Sequence, residues 1–157
     1  MATLRRLTAK AAAYHIQAEI KSKLFPSQLG VAISGGAEAI VHTVRSFCNS
    51  KLISPEPVAV LKIDFENAFN TIRRDAFLAS VKDDLPEICP FLFQCYNDPS
   101  VLTFNGIVIK SNEGIQQGDP LGPICFSLCI QRLISNLTPS LNVWYLDDGA
   151  LAGIRKR

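Results

Sequence analysis

Two hairpin signals constrain the fold of this chain more than any other sequence feature. The segment 101–110 is apolar on both sides of Asn105-Gly106, a dipeptide that supplies the positive φ angles of a tight turn. The segment 141–154 is likewise apolar on both sides of an Asp-Asp-Gly tripeptide that begins at Asp147. The sequence therefore predicts two antiparallel hairpins, each closed by a short turn.

Most of the remaining chain is predicted to be helical. The first helix is rich in Ala, Leu and Lys and contains no Gly or Pro, and Asp119 before Pro120 is a helix N-cap signal. The predicted helices cover residues 3–24, 36–49, 73–82, a segment ending near 96, and 120–137. Helices and strands are mixed along the chain without a repeat, which predicts an α/β (α+β) fold: a small antiparallel sheet with helices packed on one face.

One further strand is predicted at residues 58–64, after a break marked by Pro55 and Pro57. This run is short, rich in β-branched residues and almost wholly apolar, which is typical of a strand buried on both faces. It ends on Asp64. We hypothesise that this strand lies beside the hairpin strand 141–146.

Composition excludes several classes of protein. The 157 residues are 48% hydrophobic and 19% charged, which is enough for a sizeable core. No apolar run is long enough to span a bilayer and no secretory signal is evident, so we expect a soluble, intracellular protein, in either nucleus or cytoplasm. The cysteines are odd in number and form no C-x-x-C pair, which argues against a disulfide framework and a zinc knuckle; they are Cys48, Cys89, Cys95, Cys125 and Cys129.

Charge is distributed unevenly along the chain. Residues 1–51 carry seven Lys or Arg and two Glu, whereas residues 52–157 carry nine Lys or Arg and twelve Asp or Glu. A basic start is compatible with phosphate contact and an acidic remainder with metal binding, although a solvated helix face explains the basic residues equally.

Three carboxylates are the candidate catalytic groups. If the strand ending at Asp64 lies beside the second hairpin, its carboxylate meets those of Asp147 and Asp148. Two such charges about 4 Å apart repel by about 4 kcal/mol at an effective dielectric constant of 20, so the group needs divalent cations or must keep a proton. Oxygen-only ligands favour Mg²⁺ or Mn²⁺ over zinc, and two such ions suit phosphoryl transfer. Separately, each Asp is explained as turn or cap chemistry.

Three segments resemble, in order, the palm motifs of reverse transcriptases: DFENAFN at 64–70, QGDPLGP at 117–123 and YLDDG at 145–149. The resemblance is closest to the type found in retrotransposons without long terminal repeats. Residues 28–30 and 35–40 also resemble the fingers segment upstream of the palm in that group. One departure is Leu146, which stands where many relatives have Ala.

The resemblance implies a polymerase fold and its domains. Residues 1–57 would form a partial helical fingers segment. Residues 58–157 would form a palm that is truncated after the third motif, with the thumb absent. The implied function is the core of an RNA-directed DNA polymerase, part of a retrotransposon polyprotein, that transfers nucleotides to a primer 3′-hydroxyl. The alternative is an inactive element remnant, or a weak nucleic-acid-binding fold lacking the thumb.

The resemblance also implies roles for individual residues. Asp64 and Asp147 would hold both Mg²⁺ or Mn²⁺ ions, with Asp148 as the third family carboxylate. The implied nucleotide-binding residues are Phe65, Phe69, Gln117 and Gly118, and Phe69 matches the aromatic residue that excludes a ribose 2′-hydroxyl. The implied partners are an RNA template, a DNA primer and deoxynucleoside triphosphates, with no membrane; the candidate phosphate contacts are Arg5, Arg6 and Lys10.

Overall fold

The computed structural model describes residues 3–51 and 57–154 and confirms the predicted mixture of helices and small antiparallel sheets. The predicted break at Pro55 lies outside the described residues. The helices are α1 (Thr3–His15), α2 (Gln17–Leu24), α3 (Gly36–Lys51), α4 (Ala68–Thr71), α5 (Arg74–Asp84), α6 (Cys89–Tyr96) and α7 (Gly122–Asn136). The strands are β1 (Val58–Ile63), β2 (Ser100–Phe104), β3 (Ile107–Ser111), β4 (Leu141–Tyr145) and β5 (Asp148–Ile154).

Both predicted hairpins are present. Strands β2 and β3 form a two-stranded sheet, and Asn105 and Gly106 have φ angles of 49° and 76°, as the tight turn requires. Strands β4 and β5 form the second hairpin, whose turn is Leu146-Asp147 because Tyr145 pairs with Asp148. The acidic tripeptide is therefore divided, with only its first residue in the turn.

Strand β1 differs from the prediction in two respects. The strand order is β1-β5-β4, so β1 pairs with β5 and not with the 141–146 strand. As an edge strand it is not buried on both faces, and Val60 and Leu61 are 52% and 57% exposed. An apolar composition indicates a strand, but the neighbours of that strand are decided by contacts remote in sequence.

Two predicted helices also differ. The helix predicted at 3–24 is interrupted at buried Ile16, whose φ of −88° and ψ of 4° leave the helical range. Helix α7 begins at Gly122 and not at Pro120. Asp119 accepts a hydrogen bond from the Leu121 amide at 3.0 Å, so these residues form a turn before the helix.

The chain divides into two compact units. The first contains the described residues of 1–15 and 67–129. Its core includes Phe77 of α5, which meets Tyr96 of α6 edge to face with ring centroids 5.1 Å apart. The second contains the described residues of 16–66 and 130–157. In its core, α3 packs against β4 and β5; the residues in contact are Ile40, Val44, Phe47, Leu141, Val143, Ala150 and Ala152. The proposed boundary at residue 57 stays a prediction.

All five cysteines are free thiols. In the part of the chain that the structure describes, no helix is long and apolar enough to cross a membrane.

Candidate active site

The sheet register brings the three predicted carboxylates to one end of the three-stranded sheet. The last paired residues of β1 and β5 are Ile63 and Gly149. Asp64 directly follows β1, and Asp148 is the first residue of β5. Asp147 precedes it in the tight turn, so the pairing of Ile63 with Gly149 brings the backbone next to all three residues to one end of the sheet.

The side chains of these three residues differ in environment. Asp64 and Asp148 are exposed and Asp147 is half-buried. The Asp148 carboxylate lies 3.4 Å from the Lys62 ammonium, an ion pair whose side chains are 54% and 76% exposed. Exposed pairs of this kind contribute roughly 0–1 kcal/mol. The pair therefore reduces the repulsion between the carboxylates without holding Asp148 firmly.

The donor chemistry of this corner suits a hard divalent cation. All the donor atoms of these three side chains are carboxylate oxygens, the ligands that Mg²⁺ and Mn²⁺ prefer. Among residues 3–51 and 57–154, however, no three His, Cys, Asp or Glu side chains are grouped so that they would hold a metal ion. The backbone thus places the donors at one sheet end, while their side chains are not arranged as a finished site.

A separate cavity brings together three of the predicted nucleotide-binding residues. Phe69, Gln117 and Gly118 line a cavity of about 300 Å³, the lower end of the size range of small-molecule sites. Phe69 stacks on Phe126 with ring centroids 4.5 Å apart. The remaining lining residues are Ile115, Gln116, Asp119, Gly122 and Pro123.

The loop residues of this cavity are available for contact. Gly118 has a φ of 76°, which favours glycine, and open space surrounds the position that a Cβ would take. The exposed Gln117 amide donates a hydrogen bond to the Asn70 Oδ1 at 3.1 Å. Phe65, the fourth predicted residue, does not line this cavity and stacks on Trp144 with centroids 5.9 Å apart.

Comparison with known families settles the class of protein. The family described as "Reverse transcriptase (RNA-dependent DNA polymerase)" matches residues 5–156, nearly the whole chain. The chain belongs to the reverse transcriptase family. This assignment agrees with the three motifs and their order along the sequence.

A solved structure supports the fold of this chain. It is similar to apo telomerase from Candida tropicalis truncated from its C-terminal domain, with a TM-score of 0.57 and 12% identity. The match covers 93% of this chain and 34% of the telomerase chain, so this chain spans about a third of the length of that relative. No curated protein matches the chain.

A buried arginine that sequence reasoning missed supports the loop that precedes the reverse transcriptase motif at 117–123. Arg74 is 7% exposed, and its guanidinium donates hydrogen bonds to the carbonyl oxygens of Ser111, Glu113 and Gly114 at 2.8–3.2 Å. It also donates to the Ser111 hydroxyl at 3.0 Å. Burial lowers the pKa of Arg74. No local pattern marks this residue, since its partners lie about forty positions away.

The other end of the loop is held by Tyr96 and Asp119. The Tyr96 hydroxyl donates to the Asp119 carboxylate at 2.6 Å and accepts a hydrogen bond from the Gln116 amide at 3.3 Å. Burial, and secondarily the hydrogen bond to Asp119, raise the pKa of Tyr96 far above its usual value. The phenol therefore remains a hydrogen-bond donor, and both ends of the loop before Gln117 are fixed.

The three candidate phosphate-binding residues lie in different surroundings. Arg5 is directed inward: its guanidinium lies 3.5 Å from the Asp119 carboxylate and 5.2 Å from the centre of the Tyr96 ring, and its side chain is 22% exposed. Arg6 and Lys10 lie on the exposed surface of α1. Only these two have the exposure that a contact with a phosphate backbone requires.

Proposed function

We propose that this chain is the catalytic core of an RNA-directed DNA polymerase that extends a DNA primer on an RNA template. The primer 3′-hydroxyl attacks the α-phosphate of a deoxynucleoside triphosphate, and pyrophosphate leaves. The observation that carries the proposal is the β1–β5 register: its last pair is Ile63 and Gly149, the residues next in sequence to Asp64 and Asp148.

In this proposal Asp64 and Asp147 are the ligands of both divalent ions, and Asp148 is the third carboxylate. Mg²⁺ or Mn²⁺, when bound, would stabilise the attacking and leaving oxygens of the transfer. The chain's own contribution is to hold the oxygen donors at the ends of paired strands and in the turn between β4 and β5. Lys62 balances the charge of Asp148 through an exposed pair weak enough to give up that carboxylate.

The second part of the proposal concerns nucleotide selection. The 300 Å³ cavity beside Phe69 is assigned to the incoming nucleotide, with Gln117 and Gly118 as contacts and the Phe69 ring as the group that excludes a 2′-hydroxyl. Phe65 would act from its stack on Trp144. Because Arg74 and Tyr96 fix the loop before Gln117, the contacts are positioned before the nucleotide arrives.

Nucleic-acid binding is assigned to the exposed basic residues Arg6 and Lys10 of α1. Their charges would contact template phosphate, so binding is expected to weaken as salt rises. The motifs at 28–30 and 35–40 favour an origin in a retrotransposon without long terminal repeats, in which this core would be part of a polyprotein.

Primer extension tests the proposed function. The native chain is mixed with a DNA primer annealed to an RNA template, the four deoxynucleotides, and either Mg²⁺ or Mn²⁺. Template-directed lengthening of the primer that stops when the metal is chelated is the expected result. Binding of the duplex without extension, or cleavage of a strand without nucleotide addition, would contradict the proposal.

The role assigned to Phe69 predicts a change in sugar selectivity. Phe69→Val should lower the preference for deoxynucleotides over ribonucleotides by about 10-fold or more, because the smaller side chain no longer occupies the volume that a ribose 2′-hydroxyl needs. The measurement is the ratio of the two kcat/KM values. The matched control is Phe93→Val, at a 51% exposed position on α6. An unchanged ratio in Phe69→Val, with the variant still folded, would remove Phe69 from this role.

A further inference from the structure

A buried glutamine in the segment before α3 holds the turn that carries Asp147. Gln28 is fully buried, and its side-chain amide bonds to both peptide groups of Leu146. The Leu146 amide donates to the Gln28 Oε1 at 2.7 Å, and the Gln28 Nε2 donates to the Leu146 carbonyl at 3.0 Å. The same Oε1 accepts a third hydrogen bond from the Gly30 amide at 3.1 Å.

Leu146 needs such support because of its backbone conformation. Its φ is 56°, in the left-handed region that a leucine rarely adopts. A conformation of this kind persists where the surrounding structure determines it, and such residues cluster at functional sites. Leu146 directly precedes Asp147, so a rotation of the peptide between them would redirect the Asp147 carboxylate.

The segment around Gln28 is itself anchored to the sheet. The Trp144 amide donates to the Ser27 carbonyl at 2.7 Å, and the Leu29 amide donates to the Trp144 carbonyl at 2.8 Å. Residues 27–29 thus lie parallel to β4 along its outer edge. Gly30 completes the fit, because a Cβ there would lie 2.7 Å from the Leu146 nitrogen.

We propose that Gln28 is a positioning residue for the catalytic turn: it holds Leu146 in its disfavoured conformation and thereby directs Asp147 toward the metal ions. This inference rests on the proposed function, because it presupposes that Asp147 is a metal ligand. A primary amide suits the task because one planar group offers both a donor and an acceptor. Leucine has a similar volume and offers neither.

The test compares Gln28→Leu with Gln17→Leu, a matched change at an exposed position at the start of α2. Mn²⁺ affinity is measured by electron paramagnetic resonance, and kcat and KM by primer extension. We expect Gln28→Leu to weaken Mn²⁺ binding and to lower kcat by about 10-fold or more each, as is typical of residues that support metal ligands, with KM for the primer–template unchanged. Gln17→Leu should match the native chain.

A rescue experiment separates positioning from simple packing. Glycine adopts a positive φ readily, so Leu146→Gly should restore Mn²⁺ affinity several-fold in the Gln28→Leu background if the lost function is support of the turn. If Gln28 served packing alone, Gln28→Leu would lower the melting temperature and Leu146→Gly would not restore Mn²⁺ affinity. If Gln28→Leu fails to fold, the same measurements are made on Gln28→Asn, which keeps the amide on a shorter side chain.

The outcomes distinguish this inference from the function on which it rests. A native chain that neither binds Mn²⁺ nor extends a primer would overturn the proposed function. A native chain that does both, while folded Gln28→Leu binds Mn²⁺ and turns over as Gln17→Leu does, would overturn the role of Gln28 alone.

Discussion

Asp147→Asn is expected to reduce primer extension by about 10³-fold or more, the scale on which loss of one preorganised electrostatic group slows an enzyme. Asparagine has nearly the volume of aspartate, so the turn and its hydrogen bonds to Gln28 should persist. The substitution removes a negative charge and replaces one ligand oxygen by an amide nitrogen that binds no hard cation. The measurement is kcat/KM for the next deoxynucleotide on a primed RNA template.

The matched control is Asp98→Asn, at an exposed position between α6 and β2. It removes the same charge and should leave extension within about twofold of the native rate, because surface substitutions remote from a site have small effects. Equal incorporation by the native chain and Asp147→Asn would show that the observed polymerisation has another source.

Arg74→Met is expected to lower the free energy of unfolding by about 3 kcal/mol, the largest effect on stability that we predict. Methionine fills much of the volume of the arginine stem but donates no hydrogen bond. The carbonyl oxygens of Ser111, Glu113 and Gly114 would lose their buried donor. Chemical denaturation, followed by the shift in midpoint at constant slope, measures the change.

The adjacent residue provides the control. Arg73 forms an ion pair with Asp75, and the two side chains are 78% and 66% exposed. Arg73→Met should therefore leave the denaturation midpoint essentially unchanged. If Arg74→Met shifted the midpoint no more than Arg73→Met does, the hydrogen bonds of Arg74 would not be what fixes the loop.

Local chemistry explains which parts of the fold the sequence predicted well. Asn105-Gly106 specified its hairpin because a two-residue turn needs positive φ angles, and those two residues adopt them. Helix α3 was predicted from a glycine pair followed by apolar residues at helical spacing. In these cases the information lies within a few residues of the feature.

Other features depend on residues that meet only in the folded chain. Nothing in the run 58–64 indicates that β1 is an edge strand paired with β5. The interruption at Ile16 occurs in a sequence of good helix formers, so packing overrides propensity there. Gln28 and Arg74 have partners 118 and 37–40 positions away, and no local pattern predicts such contacts.

In the candidate site, too, some features follow from local sequence and others only from contacts in the folded chain. Motif resemblance selected Asp64, Asp147 and Asp148, but the register that makes them neighbours is known only from the paired strands. The sequence hypothesis placed Asp64 beside the first strand of the hairpin. Pairing of β1 with the second strand, β5, brings Asp64 to the same end of the sheet, because β4 and β5 are joined by the turn that holds Asp147.

Mn²⁺ binding to the native chain is the most direct test of the central claim, that Asp64 forms one divalent-metal site with the distant pair Asp147 and Asp148. Electron paramagnetic resonance reports free Mn²⁺ during a titration and requires no nucleic acid. The account predicts saturable binding that Asp64→Asn and Asp147→Asn each weaken by about 10-fold or more, whereas Asp98→Asn leaves it unchanged. The same affinity in all four proteins would contradict it.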